Sequence, residues 1–193
     1  IGGTVAVAST AMAVTARPEA CVTRTAETRT LAAPDDLRTR WPRLGLWLEP
    51  GRFLVAQAGV LVAQVTQLKG KGTVQYVGVT TGMNSLIRPA LYGAHHDIVN
   101  LTRFGQPGRE VYNIVGPICE SADYFALDRD LPAVKQGDLL AVLSAGAYSM
   151  SMSSNYNSRP RAAEVMVQGR RVEVIRPRQT IREVVQGERL PKW

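Results

Sequence analysis

The sequence is poor in cysteine and has no apolar run long enough to cross a bilayer. Its two cysteines, Cys21 and Cys119, lie nearly a hundred residues apart, which suits neither a disulfide framework nor a metal site. The longest apolar stretch, residues 53–68, is interrupted by two glutamines and a threonine, whereas a spanning helix needs about 20 apolar residues. These absences predict a protein of the reducing cytoplasm that has no membrane span and no bound metal.

The first residues also lack the basic cluster that opens a signal peptide. Residues 1–14 are apolar but contain neither Lys nor Arg, and the chain does not begin with Met. This pattern predicts the interior of a longer protein. The 193 residues are enough for one core, or for one domain and part of another.

The basic C-terminal segment, residues 159–193, has no aromatic residue before its last one, Trp193. This segment holds nine Arg or Lys against four Glu, and so supplies five of the seven net positive charges. Its charges alternate with Val and Ile, as in a strand with one solvated face, and no aromatic side chains are interleaved for base stacking. We predict a solvated face and no nucleic-acid partner. A non-catalytic, basic β module is the alternative, and salt-dependent oligonucleotide binding would support it.

Short apolar runs separated by turn residues predict a mainly β fold, either a barrel or a sandwich. Residues 163–168 and 171–176, joined through Gly169-Arg170, form the clearest predicted hairpin. The other predicted strands are 46–48, 60–68, 73–79, 97–102, 110–115 and 138–143. We also expect a turn at 69–72, a helical turn through residue 58, and a short capped helix over 37–41. Long loops at 80–96, 116–126 and 144–160 are the places where function is expected on such a scaffold.

The turn from Glu49 to Arg52 is the first candidate site. Pro50 fixes φ and Gly51 opens space around the backbone, so amide groups at a strand end are free to meet an anion. Arg52 adds a planar cation suited to phosphate or carboxylate. A turn whose charged residues are only solvated or paired with each other is the alternative interpretation.

The loop at 80–96 carries a second cation beside an aromatic residue. Arg88 and Tyr92 are four residues apart and share a face if residues 85–92 are helical, so together they could hold a carboxylate. A capped surface helix is equally compatible with this pattern. His95 and His96 follow, but adjacent histidines point apart and no third ligand has metal spacing; we interpret them as structural or surface residues.

The two remaining loops contain a thiol and a tyrosine. Cys119 is followed by Glu120 and lies near Asp123, and nearby negative charge favours the protonated thiol that a proton donor needs. A lone cysteine is more commonly a packing residue. Tyr148 directly follows a predicted strand and could contact a phosphate or a cofactor ring, or pack in the core.

Taken together and in order, these segments resemble the diaminopimelate decarboxylase family, pyridoxal-phosphate enzymes of the alanine racemase-like fold. The matching motifs are EPGR at 49–52, GMNSLIRPALYGAHHDI at 82–98, GPICESAD at 116–123 and GAYSMSMSSNYNSRPRAAEV at 146–165. The resemblance covers residues 46 to about 168. Before it, only Ile1-Gly2-Gly3 resembles the family's glycine-rich phosphate loop, and residues 4–43 match no part of the family that we can place.

The resemblance implies a fold, a cofactor and roles for particular residues. Residues 1–55 would be the end of an α/β (TIM-type) barrel, and residues 56–193 the C-terminal β domain that closes the active site. Contacts to pyridoxal 5'-phosphate are implied for Gly3, Glu49, Gly51, Arg52 and Tyr148. Substrate contacts are implied for Arg52, Arg88, Tyr92, Glu120 and Tyr148, with Glu120 on the distal ammonium group. Cys119 would be the proton donor, acting across the interface of a homodimer.

The implied reaction is decarboxylation of meso-2,6-diaminopimelate to L-lysine, the last step of lysine biosynthesis. A substrate with two amino-acid ends needs both cationic and anionic partners, which favours Arg52, Arg88 and Glu120 acting as a set. A related decarboxylase of ornithine or arginine is the alternative enzyme, although those substrates lack the second carboxylate.

Two departures from the family pattern limit this expectation. The family's lysine that binds the cofactor covalently has no counterpart, because none of the four lysines lies in its motif. Thr81 stands where many members have Asp. We therefore expect this chain to be the C-terminal part of a decarboxylase and to lack activity alone.

Overall fold

A computed structural model describes residues 5–9, 50–108 and 110–193, the first segment by its backbone only. The predicted helix over 37–41 and the predicted strand over 46–48 lie outside the described residues. Gly3 and Glu49 lie outside them as well. The proposed division of the chain at residue 55 therefore stays a prediction.

Nine strands are present in the described residues, and they confirm the mainly β prediction. Their bounds are β1 Val5–Ser9, β2 Gly59–Lys71, β3 Val74–Val79, β4 Ile98–Asn100, β5 Glu110–Val115, β6 Tyr124–Leu131, β7 Leu139–Val142, β8 Ala163–Gln168 and β9 Arg171–Arg176. Each predicted strand from residue 60 onward is found. The predicted turn at 69–72 is shorter than expected, because β2 continues to Lys71 and only Gly72 and Thr73 connect it to β3.

The strands form one strongly curved, barrel-like sheet. The main order is β6-β5-β3-β2-β1-β8-β9, and β7 joins β2 to β4 outside that order. Most pairs are antiparallel, whereas β3 with β5 and β1 with β8 are parallel. The hairpin of β8 and β9 turns at Gly169, whose φ of 59° is readily adopted by glycine.

Strand β2 organises the sheet because it pairs with β1, β3 and β7. Its first half alternates buried and partly exposed residues, with Leu61, Ala63 and Val65 pointing inward, as expected for a strand with one face on a core. Buried aliphatic and aromatic side chains from the neighbouring strands complete this core, including Val77, Val79, Ile114, Phe125, Leu140 and Val142.

Three short α-helices lie among the described residues. They are α1 Gly51–Val55, α2 Arg88–Tyr92 and α3 Ile181–Val184. Helix α1 continues as a 3-10 turn over Ala56–Ala58, which confirms the helical turn predicted there. Helix α2 begins at Arg88, three residues later than predicted, with Pro89 in its first turn. No helix in the described part of the chain is both long and apolar enough to cross a membrane.

A buried carboxylate ties β4 to the start of β7. Asp138 accepts hydrogen bonds from Asn100 Nδ2 at 3.0 Å, from the Lys135 backbone N–H at 2.9 Å and from Arg103 Nε at 3.3 Å. Burial disfavours its charge, but these three donors outweigh that effect and hold the pKa of Asp138 below its ordinary value. The ionised carboxylate therefore stabilises the folded state.

We predict that Asp138→Asn lowers the free energy of unfolding at pH 7 by about 1.5–3 kcal/mol, because the three donors share Oδ2 and a neutral amide oxygen binds them more weakly than an ionised carboxylate. A depressed folded-state pKa contributes stability above the unfolded pKa, and this stability is lost as pH falls through the folded value. The difference between wild type and variant should therefore shrink below about pH 4. Urea unfolding at several pH values measures this effect. Asp130→Asn, at an exposed position of β6, is the control, and a difference that does not depend on pH would contradict the account.

Candidate functional site

The end of helix α1 and the turn after it pack against the loop that carries Tyr148. The backbone N–H of Gly146 donates to the carbonyl of Ala56 at 2.9 Å, and that of Ala145 donates to Gly59 at 2.8 Å. A Cβ at Gly146 would overlap the carbonyl of Val55, so only glycine permits this approach. Arg52 itself is exposed.

Arg88 and Tyr148 are in contact. The guanidinium carbon of Arg88 lies 5.5 Å from the centre of the Tyr148 ring, a cation–π arrangement. Tyr148 has a φ of 63°, which is unusual for a bulky residue, and the residue is 44% exposed. Tyr92 lies on the same helix as Arg88, as predicted, and is 64% exposed. A cation and two exposed aromatic residues therefore share one part of the surface.

Buried His96 contacts Arg88 from another side. His96 Nε2 is 3.3 Å from Arg88 Nη1, and His96 Nδ1 is 2.9 Å from the carbonyl oxygen of Leu143. Burial lowers the pKa of His96 below its ordinary value, and the charge of Arg88 lowers it further. The two adjacent histidines point apart as predicted, since His95 is exposed.

The carboxylate of Asp123 joins two of the predicted functional loops. It accepts hydrogen bonds from the backbone N–H groups of Met83 and Ile118, each at 2.6 Å. Gly82 and Gly116 leave room for it, because a Cβ on either glycine would overlap the carboxylate. Burial raises the pKa of Asp123 above its ordinary value, against the opposing effect of the two N–H donors. This contact fixes the start of the Arg88 loop against the loop of Cys119.

Cys119 and Glu120 are both exposed at the tip of the second loop. Glu120 lines an open depression of about 520 Å³ together with Met83, Asn84, Ile87, Ser154 and Tyr156. The Tyr156 hydroxyl donates to Glu120 Oε2 at 3.4 Å. The thiol is therefore accessible, in contrast to a packing cysteine, and the carboxylate borders a cavity of a size that suits a small molecule.

Further hydrogen bonds attach the third loop to the first. Ser149 Oγ donates to the carbonyl of Ser85 at 3.0 Å, and the N–H of Ser154 donates to the carbonyl of Asn84 at 2.9 Å. Thr81, which departs from the family pattern, is buried and lies 2.6 Å from Ser85 through their hydroxyl groups. All three predicted loops are thus connected at one place on the sheet.

The described residues fit a pyridine ring carrying a phosphate. The half-exposed Tyr148 ring offers a stacking surface, and nothing lies within 4 Å of the position that a Cβ would take on Gly51. An anion could therefore approach the backbone of Gly51 closely. A group of His, Cys, Asp and Glu suited to a metal ion is not found in the described residues.

Sequence reasoning found the loops but missed the residues that join them. The sequence indicates Asp123 only as a charge near the thiol, and it predicts no contact for Ser149 or His96. The sequence offers one signal for this contact: each of the two loops has a glycine near its start, Gly82 or Gly116, and the second loop also contains the acidic residue Asp123. It does not reveal which backbone groups that acid binds.

Comparison with known proteins identifies the class of this mainly β chain. Residues 7–146 match the family model described as the pyridoxal-dependent decarboxylase C-terminal sheet domain. This match includes strands β2 to β7 and the first two functional loops, and it ends within the third loop. It begins at residue 7, so it also includes residues before position 46, where the motif resemblance begins. The chain belongs to the pyridoxal-dependent decarboxylase family.

Individual relatives carry the name diaminopimelate decarboxylase. The chain is 51% identical to that of Pseudomonas aeruginosa and 49% identical to that of Archaeoglobus fulgidus, each over 148 residues. The crystal structure of diaminopimelate decarboxylase from M. jannaschii in complex with L-lysine matches at 38% identity with a TM-score of 0.73. The Pseudomonas aeruginosa match covers 76% of this chain and 35% of the relative, and the Archaeoglobus fulgidus match covers 77% and 35%. The match to the crystal structure covers 81% of this chain and 36% of that one. The chain therefore spans about one third of the length of these relatives.

We predict that Asp123→Asn loosens the junction between the first two loops. An amide nitrogen would face one of the two N–H donors, and an unsatisfied buried donor costs about 1–3 kcal/mol. Hydrogen exchange at the amides of Met83 and Ile118 should accelerate by about fivefold or more. Asp130→Asn serves as the exposed control. Unchanged exchange at both amides would show that the carboxylate does not hold the loops together.

Proposed function

We propose that this chain is the C-terminal part of a diaminopimelate decarboxylase, which converts meso-2,6-diaminopimelate to L-lysine in lysine biosynthesis. The observation that carries the proposal is the joining of three loops that bear a cation, a carboxylate and a thiol. Membership of the decarboxylase family and high identity to named diaminopimelate decarboxylases support it. The coverage of about one third of those relatives supports a longer enzyme whose other part carries the cofactor-binding lysine.

Arg52, Arg88 and Tyr92 would bind substrate carboxylate. The guanidinium groups offer charge-assisted, bidentate hydrogen bonds, and the phenol of Tyr92 supplies a neutral donor. Contact of Arg88 with the Tyr148 ring limits the positions that the guanidinium can adopt. Such restraint lowers the entropy cost of binding the substrate.

Glu120 would bind the distal ammonium group of the substrate. Its carboxylate lies at the edge of the depression bordered by Met83 and Ile87, and Tyr156 restrains it by a hydrogen bond. Amines that lack a distal carboxylate would satisfy Glu120 but leave one guanidinium unpaired. This difference favours diaminopimelate over ornithine or arginine as the substrate.

Pyridoxal 5'-phosphate, when bound, supplies the electron sink that stabilises negative charge at the α-carbon as carbon dioxide leaves. Tyr148 would pack against its ring. Gly51, with Glu49 and Gly3, would provide backbone contacts to its phosphate. The Cys119 thiol would then donate a proton to the α-carbon of the substrate.

We also propose that two copies of the complete chain form the active site. Cys119, Glu120 and Tyr92 are all exposed, so their side chains are free to meet groups on a second chain. A homodimer in the cytoplasm is the assembly that we expect. Mixing Cys119→Ala with a variant of the cofactor-binding lysine should restore activity through hybrid dimers.

We predict that Arg88→Met in the complete enzyme lowers kcat/KM for diaminopimelate by at least about tenfold. The variant keeps much of the aliphatic stem but removes charge-assisted hydrogen bonds worth about 1.5–3 kcal/mol each. Steady-state decarboxylation assays measure the change, with ornithine and arginine as competing substrates. Arg170→Met, in the exposed turn between β8 and β9, is the control. Unchanged efficiency, or a preference of the wild type for ornithine or arginine, would refute the substrate assignment.

We predict that Cys119→Ala preserves folding and cofactor binding but lowers turnover. Without the thiol, part of the protonation should occur on the cofactor and yield its amine form, which inactivates the enzyme. Turnover and pyridoxamine phosphate can be measured in the same reaction. Ser121→Ala, on the same exposed loop, is the control. Normal turnover without that by-product would leave Cys119 with no part in proton transfer.

A further inference from the structure

The hydrogen bonds of His96 specify one state of its ring. Nδ1 lies 2.9 Å from the Leu143 carbonyl, which can only accept, so Nδ1 must carry a hydrogen. Nε2 lies 3.3 Å from Arg88 Nη1, which can only donate, so Nε2 must offer a lone pair. Only the neutral tautomer with hydrogen on Nδ1 satisfies both partners.

The surroundings keep this ring in place and disfavour its protonation. His96 is 1% exposed. The backbone N–H of Leu143 donates to the carbonyl of Asp97 at 2.8 Å, so Leu143 is joined both to the His96 ring and to the residue that follows it. The charged and titratable groups around it are Arg88, His95, Asp97 and, on β6, Arg129, which contacts both His95 and Asp97. Burial and the adjacent guanidinium both oppose a positive charge on His96.

Arg88 is thereby held between two groups. Its guanidinium lies over the Tyr148 ring on one side and contacts His96 on another. Neither partner neutralises its charge, because a neutral imidazole and an aromatic ring leave the full positive charge available to a ligand. A carboxylate in the place of His96 would fix the guanidinium equally well but would compete with a carboxylate ligand.

We propose that His96 is a positioning residue that, in its neutral form, orients Arg88 toward the substrate carboxylate without neutralising it. The part of this inference that concerns substrate rests on the proposed function. Protonation of His96 would remove the acceptor and place a second cation against Arg88. Substrate binding should therefore weaken as pH falls below the ordinary range of histidine, whereas the chemical step should be less affected.

Three variants of the complete enzyme separate these contacts. In His96→Asn the amide nitrogen can replace Nδ1 on Leu143 but cannot reach Arg88, so KM should rise about tenfold with kcat nearly unchanged. In His96→Gln the longer amide can offer its oxygen to Arg88, so KM should rise less, and its increase at acidic pH should disappear. His95→Gln is the matched control and should retain wild-type kinetics. Equal KM values for the Asn and Gln variants, or a wild-type KM that does not rise at acidic pH, would overturn the proposal.

A spectroscopic measurement tests the contact independently of activity. Nitrogen NMR of the histidine-labelled complete protein should show the neutral tautomer with hydrogen on Nδ1 of His96 at pH 7. The Arg88 guanidinium signal should shift in His96→Asn but not in His95→Gln. A protonated ring, or hydrogen on Nε2, would refute the positioning role. If the wild type does not decarboxylate diaminopimelate, the proposed function fails, and the NMR result alone then decides whether His96 orients Arg88.

Discussion

The buried carboxylate of Asp123 is the contact on which the arrangement of the loops depends. It accepts two short hydrogen bonds from backbone groups of different loops, and two glycines provide the space that it occupies. Leu86 of the first loop and Ile118 of the second are buried and hold each loop on the sheet, but no hydrogen bond other than those of Asp123 is described between the two loops. A charged acceptor shared by both loops therefore determines where Glu120 lies relative to Met83 and Ile87.

The Arg88 guanidinium is held by neutral groups, whereas the loops are joined by a carboxylate. Among the described residues, the Arg88 guanidinium contacts two neutral groups, the Tyr148 ring and the His96 imidazole. The strained backbone of Tyr148 places its ring beneath the guanidinium. Positive φ values outside glycine cost free energy and are tolerated where the surrounding structure enforces them. Here the hydrogen bond from Ser149 to Ser85 joins the next residue to the Arg88 loop and provides that enforcement.

Much of the sheet could be predicted because most strands carry a local signal. Alternation in β2 and the turn at Gly169 both follow from rules that act within a few residues. Strand β6, Tyr124–Leu131, was missed because Asp128, Arg129 and Asp130 interrupt its apolar pattern. Its conformation depends on pairing with β5, which is not visible in the segment itself.

In the candidate site, too, the residues in short motifs could be predicted, whereas the contacts between distant segments could not. Motifs identified Arg88, Cys119, Glu120 and Tyr148, because each lies in a short segment that resembles a known family. The hydrogen bond from Met83 to Asp123 joins residues that are 40 positions apart. Its existence depends on the parallel pairing of β3 with β5, which brings the two loops to the same edge of the sheet. The sequence pattern of β3 or of β5 alone does not show that these two strands pair.

The central claim is that these joined loops bind a substrate with a carboxylate at one position and an ammonium group at another. A crystal structure of the complete enzyme with diaminopimelate bound, with the cofactor-binding lysine replaced to prevent turnover, tests this claim most directly. The account predicts a substrate carboxylate within hydrogen-bond distance of the Arg88 guanidinium. It also predicts the distal ammonium at a Glu120 carboxylate, from the same chain or from its partner. Diaminopimelate bound in the active site without contact to either side chain would contradict the account.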